Sequence, residues 1–209
     1  MVVAALLVIA AIAATRGYEL LASSSSTAAS PNVVLPSEHR GALGEPDTAL
    51  VLPGEHRGAL GEADGAVPDG TTVFDDEIPG VANLDPDLLG ALRQAAADAA
   101  GDGVEFLVDS GWRSPAYQEQ LLQEAVSEYG SEAEAARWVA TPETSGHVSG
   151  DAVDVGPFDA TAWLSAHGAA YGLCPIYGNE PWHFELRPEA IDQGCPPMYS
   201  DPTHDPRMQ

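Results

Sequence analysis

The chain has 209 residues, of which 32 are Asp or Glu and 8 are Lys or Arg, so its formal net charge is -24 at pH 7. Such an excess of negative charge repels nucleic-acid phosphates, and it excludes a nucleic-acid partner. The length allows one domain of ordinary size together with an extension, but not two full domains.

The first segment of the chain is apolar without interruption from Val2 to Ala14. A run of this length is short for a membrane-spanning helix and suits the core of a signal peptide. We therefore expect residues 1–22 to be a signal peptide or an N-terminal membrane anchor. The expected location of the protein is extracellular or in the cell envelope.

Residues 23–71 are rich in Ser, Ala, Pro, Gly and acidic side chains, and the segment 35–45 recurs as 52–62. Two copies are fewer than a solenoid needs, and this composition has little to bury, so it predicts a disordered linker with a duplicated segment. One histidine in each copy, His39 and His56, is more typical of a solvated side chain than of a metal ligand.

The folded domain is predicted to span residues 72–198, followed by a flexible tail over 199–209. Asp85 is placed as the N-cap of a helix that begins at Pro86 and ends at Gly101. The later elements are predicted as a strand over 104–108, a helix from Pro115, a helix over 132–139, a strand over 152–155, a helix over 160–171 and a strand over 182–186. Helices and short strands are mixed without regular alternation, which predicts the α+β class.

Four side chains suggest a metal site. His147 is followed seven residues later by Asp154, and Glu180 precedes His183 by three residues. Imidazole and carboxylate groups are zinc ligands, and a nearby carboxylate that is not a ligand can take a proton from a zinc-bound water. Taken singly, each residue has an ordinary structural role as its alternative, such as a turn cap for Asp154. Taken together, the four favour a catalytic metal.

The spacing of His147 and Asp154 needs a turn between them. On one continuous strand, residues seven apart point to opposite faces. Ser149 and Gly150 lie between the two and can turn the chain, so that both side chains reach one metal.

These motifs resemble those of the zinc D-alanyl-D-alanine carboxypeptidase family of the VanY type. The resemblance lies in Ser145-Gly146-His147 with Gly150, Ala152 and Asp154, in Glu180-Pro181-Trp182-His183-Phe184, and in Ser110-Gly111-Trp112-Arg113-Ser114, where the family often has tyrosine in place of Trp112. It covers roughly residues 80–197. It implies a small central antiparallel sheet packed with helices, with the zinc site on the sheet face, as in the hedgehog/DD-peptidase-like zinc enzymes.

The resemblance also implies the roles of individual side chains. His147, Asp154 and His183 would bind Zn2+, and Glu180 would be the general base. Arg113 would hold the scissile carbonyl as it becomes an oxyanion, which agrees with the chemistry of a fixed guanidinium. The side chains of Gln118 and Ser145 would bind substrate, and Trp182 would form a pocket wall, with core packing as an equally good alternative.

The only cysteines, Cys174 and Cys195, flank the segment that holds Glu180 and His183. In an exported chain such a pair predicts a disulfide, whereas a cytosolic location would reverse that expectation.

The expected function is a zinc-dependent metallopeptidase that releases the terminal D-alanine of peptidoglycan stem peptides. A peptidoglycan endopeptidase of the same fold is one alternative. A non-catalytic zinc or cell-wall binding module is another, and Glu180 argues against it because a binding module needs no base. We expect a monomer whose partners are the stem peptides, with residues 1–22 as a membrane anchor if they are retained.

Overall fold

The computed structural model describes residues 60–208. The expected signal peptide or anchor and most of the duplicated linker lie outside the described residues. Within residues 60–208, no helix is long and apolar enough to cross a membrane.

The described part of the chain contains seven α-helices and four β-strands, which confirms the α+β class. In chain order they are α1 (Pro79–Ala82), α2 (Pro86–Gly101), β1 (Leu107–Ser110), α3 (Pro115–Tyr129), α4 (Glu132–Ala135), α5 (Gly146–Ser149), β2 (Ala152–Gly156), α6 (Phe158–His167), β3 (Leu173–Pro175), β4 (His183–Leu186) and α7 (Ala190–Gln193). Short 3-10 helices span Glu62–Asp64, Gly168–Tyr171, Pro202–His204 and Pro206–Met208.

The four strands form one antiparallel sheet in the order β1-β2-β4-β3. Strand β2 is central, and each of its five residues is buried. Residues facing each other across neighbouring strands lie within side-chain contact. Because Asp154 on β2 is paired with both Ser110 on β1 and His183 on β4, the sheet brings three distant segments to one place.

Helix α2 supplies much of the core that backs the sheet. The Asp85 side chain accepts hydrogen bonds from the backbone N–H groups of Asp87 and Leu88, at 2.9 and 3.2 Å. Such a cap stabilises a helix by about 1 kcal/mol. The buried face consists of Leu88, Leu92, Ala95, Ala96 and Ala99. The predicted start and end of this helix are confirmed.

Three other elements differ from their predicted bounds by more than one residue. Strand β1 begins at Leu107 rather than residue 104, because its pairing with β2 begins there, with Leu107 opposite Gly156. Helix α4 ends at Ala135 rather than residue 139. The predicted helix over 160–171 divides into α6 and the 3-10 helix Gly168–Tyr171.

The folded domain begins before residue 72, so the predicted boundary is wrong. The backbone carbonyl of Asp64 accepts from the N–H of Ser114 at 2.8 Å, and that of Thr71 accepts from Val108 at 2.8 Å. Gly65 has φ of 105°, and a Cβ there would meet the carbonyl oxygen of Trp112 at 2.2 Å. The polar composition of residues 60–71 did not indicate these contacts, because most of them are made by backbone N–H and carbonyl groups.

The predicted flexible tail is also wrong for residues 199–208. Asp201 is 3% exposed and Asp205 is fully buried. The Tyr199 N–H donates to the carbonyl of Ile176 at 2.9 Å, which ties the segment to the chain after β3. Proline and acidic residues predict solvated chain, but here the buried carboxylates have partners. Asp201 contacts Arg137 elsewhere in the domain, whereas Asp205 contacts Arg207 within the segment and accepts from the distant Tyr177 hydroxyl.

The predicted disulfide is confirmed. Cys174 on β3 is bonded to Cys195, with their Cα atoms 5.5 Å apart. It joins the edge strand of the sheet to the chain that follows α7.

Candidate metal centre and active site

Three predicted ligands converge on one side of the sheet. His147 lies on α5, Asp154 on β2 and His183 at the start of β4, and all three are buried. One donor atom from each lies within 4.8 Å of the other two. Asp154 and His183 are direct cross-strand partners, and α5, which carries His147, leads into β2 through a tight turn.

The turn between the two first ligands is made by Gly150, as the sequence predicted. Its φ is 84°, a left-handed conformation that side chains disfavour. A Cβ at this position would meet the carbonyl oxygen of Asn83 at 2.6 Å. The turn ends α5 and starts β2, so His147 and Asp154 face the same space.

The two histidine rings are oriented by different partners. Nδ1 of His147 lies 2.8 Å from the carbonyl oxygen of Gly111. A carbonyl only accepts, so this nitrogen carries the hydrogen and Nε2 is free to ligate. In His183 the order is reversed: Nδ1 lies 3.1 Å from Oδ1 of Asp154, and Nε2 lies 3.5 Å from Oε1 of Glu185.

The donor set fits zinc. Zinc–ligand bonds of about 2.0–2.2 Å in a tetrahedron place neighbouring donor atoms about 3.3 Å apart. Oδ1 of Asp154 lies 3.1 Å from Nδ1 of His183 and 3.5 Å from Nε2 of His147. Two imidazole nitrogens and one carboxylate oxygen are a ligand set typical of catalytic zinc.

The ionisation states of two ligands also suit a metal. Burial, with the guanidinium of Arg113 nearby, lowers the pKa of His147, which favours the neutral imidazole. Burial would raise the pKa of Asp154, but its interactions with His147 and His183 outweigh burial and lower that pKa well below its ordinary value. A neutral imidazole and an ionised carboxylate are the forms that bind metal.

Arg113 is held rigidly beside Asp154. Its Nε donates to Oγ of Ser110 at 2.8 Å, Nη1 to Oε1 of Gln118 at 3.1 Å, and Nη2 to Oδ2 of Asp154 at 3.2 Å. These contacts use three of the five N–H groups of a guanidinium. Asp154 thus turns Oδ1 to the histidines and Oδ2 to Arg113.

Gln118 lies beside Arg113 at the wall of the cavity that also contains the metal ligands. Its side chain is 1% exposed. Nε2 donates to the carbonyl of Ala140 at 2.8 Å, and Oε1 accepts from Arg113. Both ends of the amide therefore contact protein groups, which gives Gln118 a positioning role toward Arg113, and its contact with substrate stays a prediction.

The metal-ligand cluster opens into a cavity of about 340 Å³. This is within the usual range for small-molecule sites. Ser145 and Trp182 line it, as do Arg113 and Glu180. Trp182 is 40% exposed, so it forms a wall of the cavity rather than part of the core.

Glu180 is a buried acid that lines this cavity. It is 8% exposed, and its Oε1 has no hydrogen-bond partner within residues 60–208. Burial, with some contribution from Asp154, raises its pKa to about 7. A buried unpaired carboxylate is costly, and such groups cluster at functional sites.

The sequence did not reveal the side chains behind His183. Glu185 is 2% exposed and contacts Arg187 and Arg207. Residues two apart on a strand point to the same face, so the spacing of His183 and Glu185 within the predicted strand 182–186 was the one available signal. Arg207 lies 22 residues further along the chain, and no spacing rule connects them.

Comparison with known proteins gives one family and several relatives. A family model described as VanY, D-alanyl-D-alanine carboxypeptidase, matches residues 81–189. A D-alanyl-D-alanine carboxypeptidase of Enterococcus faecalis (strain ATCC 700802 / V583) is 32% identical over 111 residues, with 41% of each chain covered. The chain therefore spans less than half the length of this curated relative.

Three solved structures are similar to the chain. A mutant of the vancomycin resistance D,D-pentapeptidase VanY in complex with Zn(II) is 29% identical, covering 49% of this chain and 72% of that one, with a TM-score of 0.47. VanYB in complex with D-alanine-D-alanine is 28% identical, covering 53% and 74%, with a TM-score of 0.49. DacB from Streptococcus pneumoniae D39 is 29% identical, covering 56% and 72%, with a TM-score of 0.44.

Proposed function

The chain belongs to the VanY family of D-alanyl-D-alanine carboxypeptidases, and we propose that it is a zinc-dependent D,D-carboxypeptidase that removes the terminal D-alanine of peptidoglycan stem peptides. One observation carries the proposal. Three ligand side chains, an unpaired buried glutamate and a fixed arginine face a single cavity.

His147, Asp154 and His183 would hold the zinc. Zinc in such a site lowers the pKa of a bound water and polarises the substrate carbonyl. Glu180 takes a proton from the attacking water, whose oxygen bonds to the carbonyl carbon of the scissile peptide. As the C–N bond breaks, Glu180 returns that proton to the leaving nitrogen, and the products are a shortened peptide carboxylate and free D-alanine.

Arg113 stabilises the negative charge that develops on the carbonyl oxygen. A guanidinium stays charged throughout the working pH range, and donors fixed in advance need no reorganisation during the reaction. Its contacts with Ser110, Gln118 and Asp154 support this role, because they fix the planar group while leaving two N–H groups.

Ser145 and Trp182 bind the C-terminal end of the peptide. Ser145 is 5% exposed and lines the cavity, so its hydroxyl is available to hydrogen-bond the substrate. The Trp182 ring bounds the space for the terminal side chain. Inverting the α-carbon would move the methyl group of alanine toward that wall, so the cavity selects the D-isomer.

The test uses the full chain with two synthetic stem pentapeptides, one ending in D-Ala-D-Ala and one in L-Ala-L-Ala. We expect mass spectrometry to detect free alanine from the first peptide only. Cleavage at an internal bond would favour the endopeptidase alternative. Zinc binding without cleavage of either peptide would favour the binding module.

We propose further that the protein acts as a monomer outside the cytoplasm, anchored to the membrane if residues 1–22 are retained. The Cys174–Cys195 disulfide supports export, because such bonds persist in oxidising compartments. The net charge of -24 supports the monomer, since like-charged copies repel. Cell fractionation tests the location, and a reduced cytosolic protein would contradict it. Size-exclusion chromatography tests the oligomeric state, and a stable dimer would contradict the monomer.

A further inference from the structure

The C-terminal segment, defined here as residues 195–208, lies beyond the family match and reaches the metal centre through charged side chains. Arg207 contacts the carboxylate of Glu185 at two points, with Nη1 2.7 Å from Oε2 and Nη2 3.2 Å from Oε1. A two-point contact of this kind fixes the orientation of a carboxylate as well as its position.

Glu185 passes that orientation to a predicted zinc ligand. Its Oε1 lies 3.5 Å from Nε2 of His183, and its Oε2 lies 2.5 Å from Nη2 of Arg187. The carboxylate only accepts, so this contact favours a hydrogen on Nε2 of His183, while Nδ1 faces Asp154. Carboxylates in this position orient the ligand histidines of zinc sites.

Arg207 is itself held by Asp205, which is fully buried. Nε of Arg207 lies 3.1 and 3.0 Å from the two carboxylate oxygens of Asp205, and Nη2 also contacts Oδ2. Asp205 accepts a further hydrogen bond from the hydroxyl of Tyr177 at 3.1 Å. The Tyr177 ring centre lies 5.1 Å from that of His183. Asp205 therefore supports His183 both through Tyr177 and through Arg207 and Glu185.

The backbone brings the C-terminal segment to this place by covalent and hydrogen bonds. Cys195 is bonded to Cys174, and Cys174 is the cross-strand partner of Glu185. The Tyr199 carbonyl accepts from the N–H of Gly178 at 2.8 Å. These attachments reduce the conformational entropy lost when Arg207 is fixed.

We propose that Arg207 is a positioning residue of the metal centre, acting through Glu185 to hold His183 with Nδ1 turned to Asp154. The inference rests on the zinc site of the proposed function. Without Arg207, Glu185 and then His183 gain rotational freedom, so the site binds zinc less tightly and kcat falls more than KM.

The test measures the zinc dissociation constant of the full chain by competition with a chelator of known affinity. Arg207→Gln is compared with Arg93→Gln, a matched control whose arginine also pairs with an aspartate, Asp76. Removal of a group that contacts a ligand histidine directly typically weakens metal binding about 10- to 100-fold. Because Arg207 acts through Glu185, which Arg187 still contacts, we expect the lower end of that range, about tenfold, for Arg207→Gln. The control should bind zinc as the wild type does.

Arg207→Lys keeps the proposal testable if the glutamine variant does not fold. Lysine retains a charge for the buried Asp205 but cannot make the two-point contact with Glu185. We expect a folded protein, by circular dichroism, whose zinc affinity and kcat lie between those of the wild type and Arg207→Gln. Wild-type affinity in the folded Arg207 variants would overturn this inference alone, whereas a wild type that binds no zinc would overturn the proposed function too.

Discussion

The two histidines of the metal centre are held in different ways. His147 is oriented by a backbone carbonyl, that of Gly111. His183 is oriented by the side chain of Glu185, which in turn contacts two arginines. A backbone carbonyl is present whatever the local side chains are, whereas an ionic network depends on every member. The His147 side therefore depends on the backbone path, and the His183 side depends on side-chain identity.

The same division extends to the catalytic groups. Arg113 lies on the His147 side, and its backbone N–H donates to the carbonyl of His147 at 3.1 Å. Glu180 lies on the His183 side, and its carbonyl accepts from the N–H of His183 at 3.0 Å.

The largest effect is expected from removing the ligands, and here the two sides should behave alike. His147→Ala and His183→Ala should each reduce zinc from about one per chain to nearly none, because a catalytic zinc has three protein ligands. Elemental analysis of purified protein measures this. His167→Ala is the control, since His167 is exposed on α6. Full zinc content in either ligand variant would remove that histidine from the site.

Glu180→Gln should separate catalysis from metal binding on the His183 side. The amide cannot accept a proton from water, so turnover should fall at least about 100-fold. Zinc content and the circular dichroism spectrum should not change. Glu189→Gln, at an exposed position after β4, is the control. Near-normal D-alanine release by Glu180→Gln would assign the base role to another group.

Arg113→Lys should test the His147 side. Lysine keeps the charge but loses the planar group that contacts Ser110, Gln118 and Asp154. We expect kcat to fall about tenfold with a smaller change in KM, as for partial loss of oxyanion stabilisation. Steady-state kinetics on the D-Ala-D-Ala peptide measure both, with Arg93→Lys as control. An increase in KM alone would make Arg113 a substrate-binding residue.

The smallest effect on turnover is expected from removing the disulfide. A loop with a sequence separation of 21 residues is closed by Cys174 and Cys195, and in the chain-entropy model such a bond contributes about 3 kcal/mol to the free energy of unfolding. The double Cys→Ser variant should lose stability of that order in denaturant titration while keeping most of its kcat. Unchanged stability would show that packing alone holds the C-terminal segment.

Local sequence signals predicted the elements that depend on local chemistry. Asp85 and Pro86 marked the start of α2, and Gly150 marked the turn after α5, because caps and left-handed turns need particular residues. Alternation along β4 placed His183 and Glu185 together. The spacing of the site motifs, with the family resemblance, predicted the residues that converge in the structure.

Other features depended on contacts that no local pattern encodes. The tail over 199–208 looked solvated, and its order comes from contacts with distant residues: Asp201 with Arg137, Asp205 with Tyr177, and Arg207 with Glu185. The described residues before 72 looked like linker, since their attachment is largely through backbone hydrogen bonds. Gln118 matched a substrate-binding position, and the sequence did not indicate that its amide also contacts Arg113 and Ala140.

The sequence by itself determined the chemical components of the site: two histidines, an aspartate, a glutamate and an arginine in motifs of recognisable spacing. Tertiary structure alone decided how those components are supported. Arg207 and Glu185 meet because the disulfide, the backbone bonds of Tyr199 and the β3–β4 pairing together return the C-terminal segment to the sheet. Motifs record neighbours along the chain, whereas hydrogen bonds and ion pairs act over a few ångströms between residues that folding brings together.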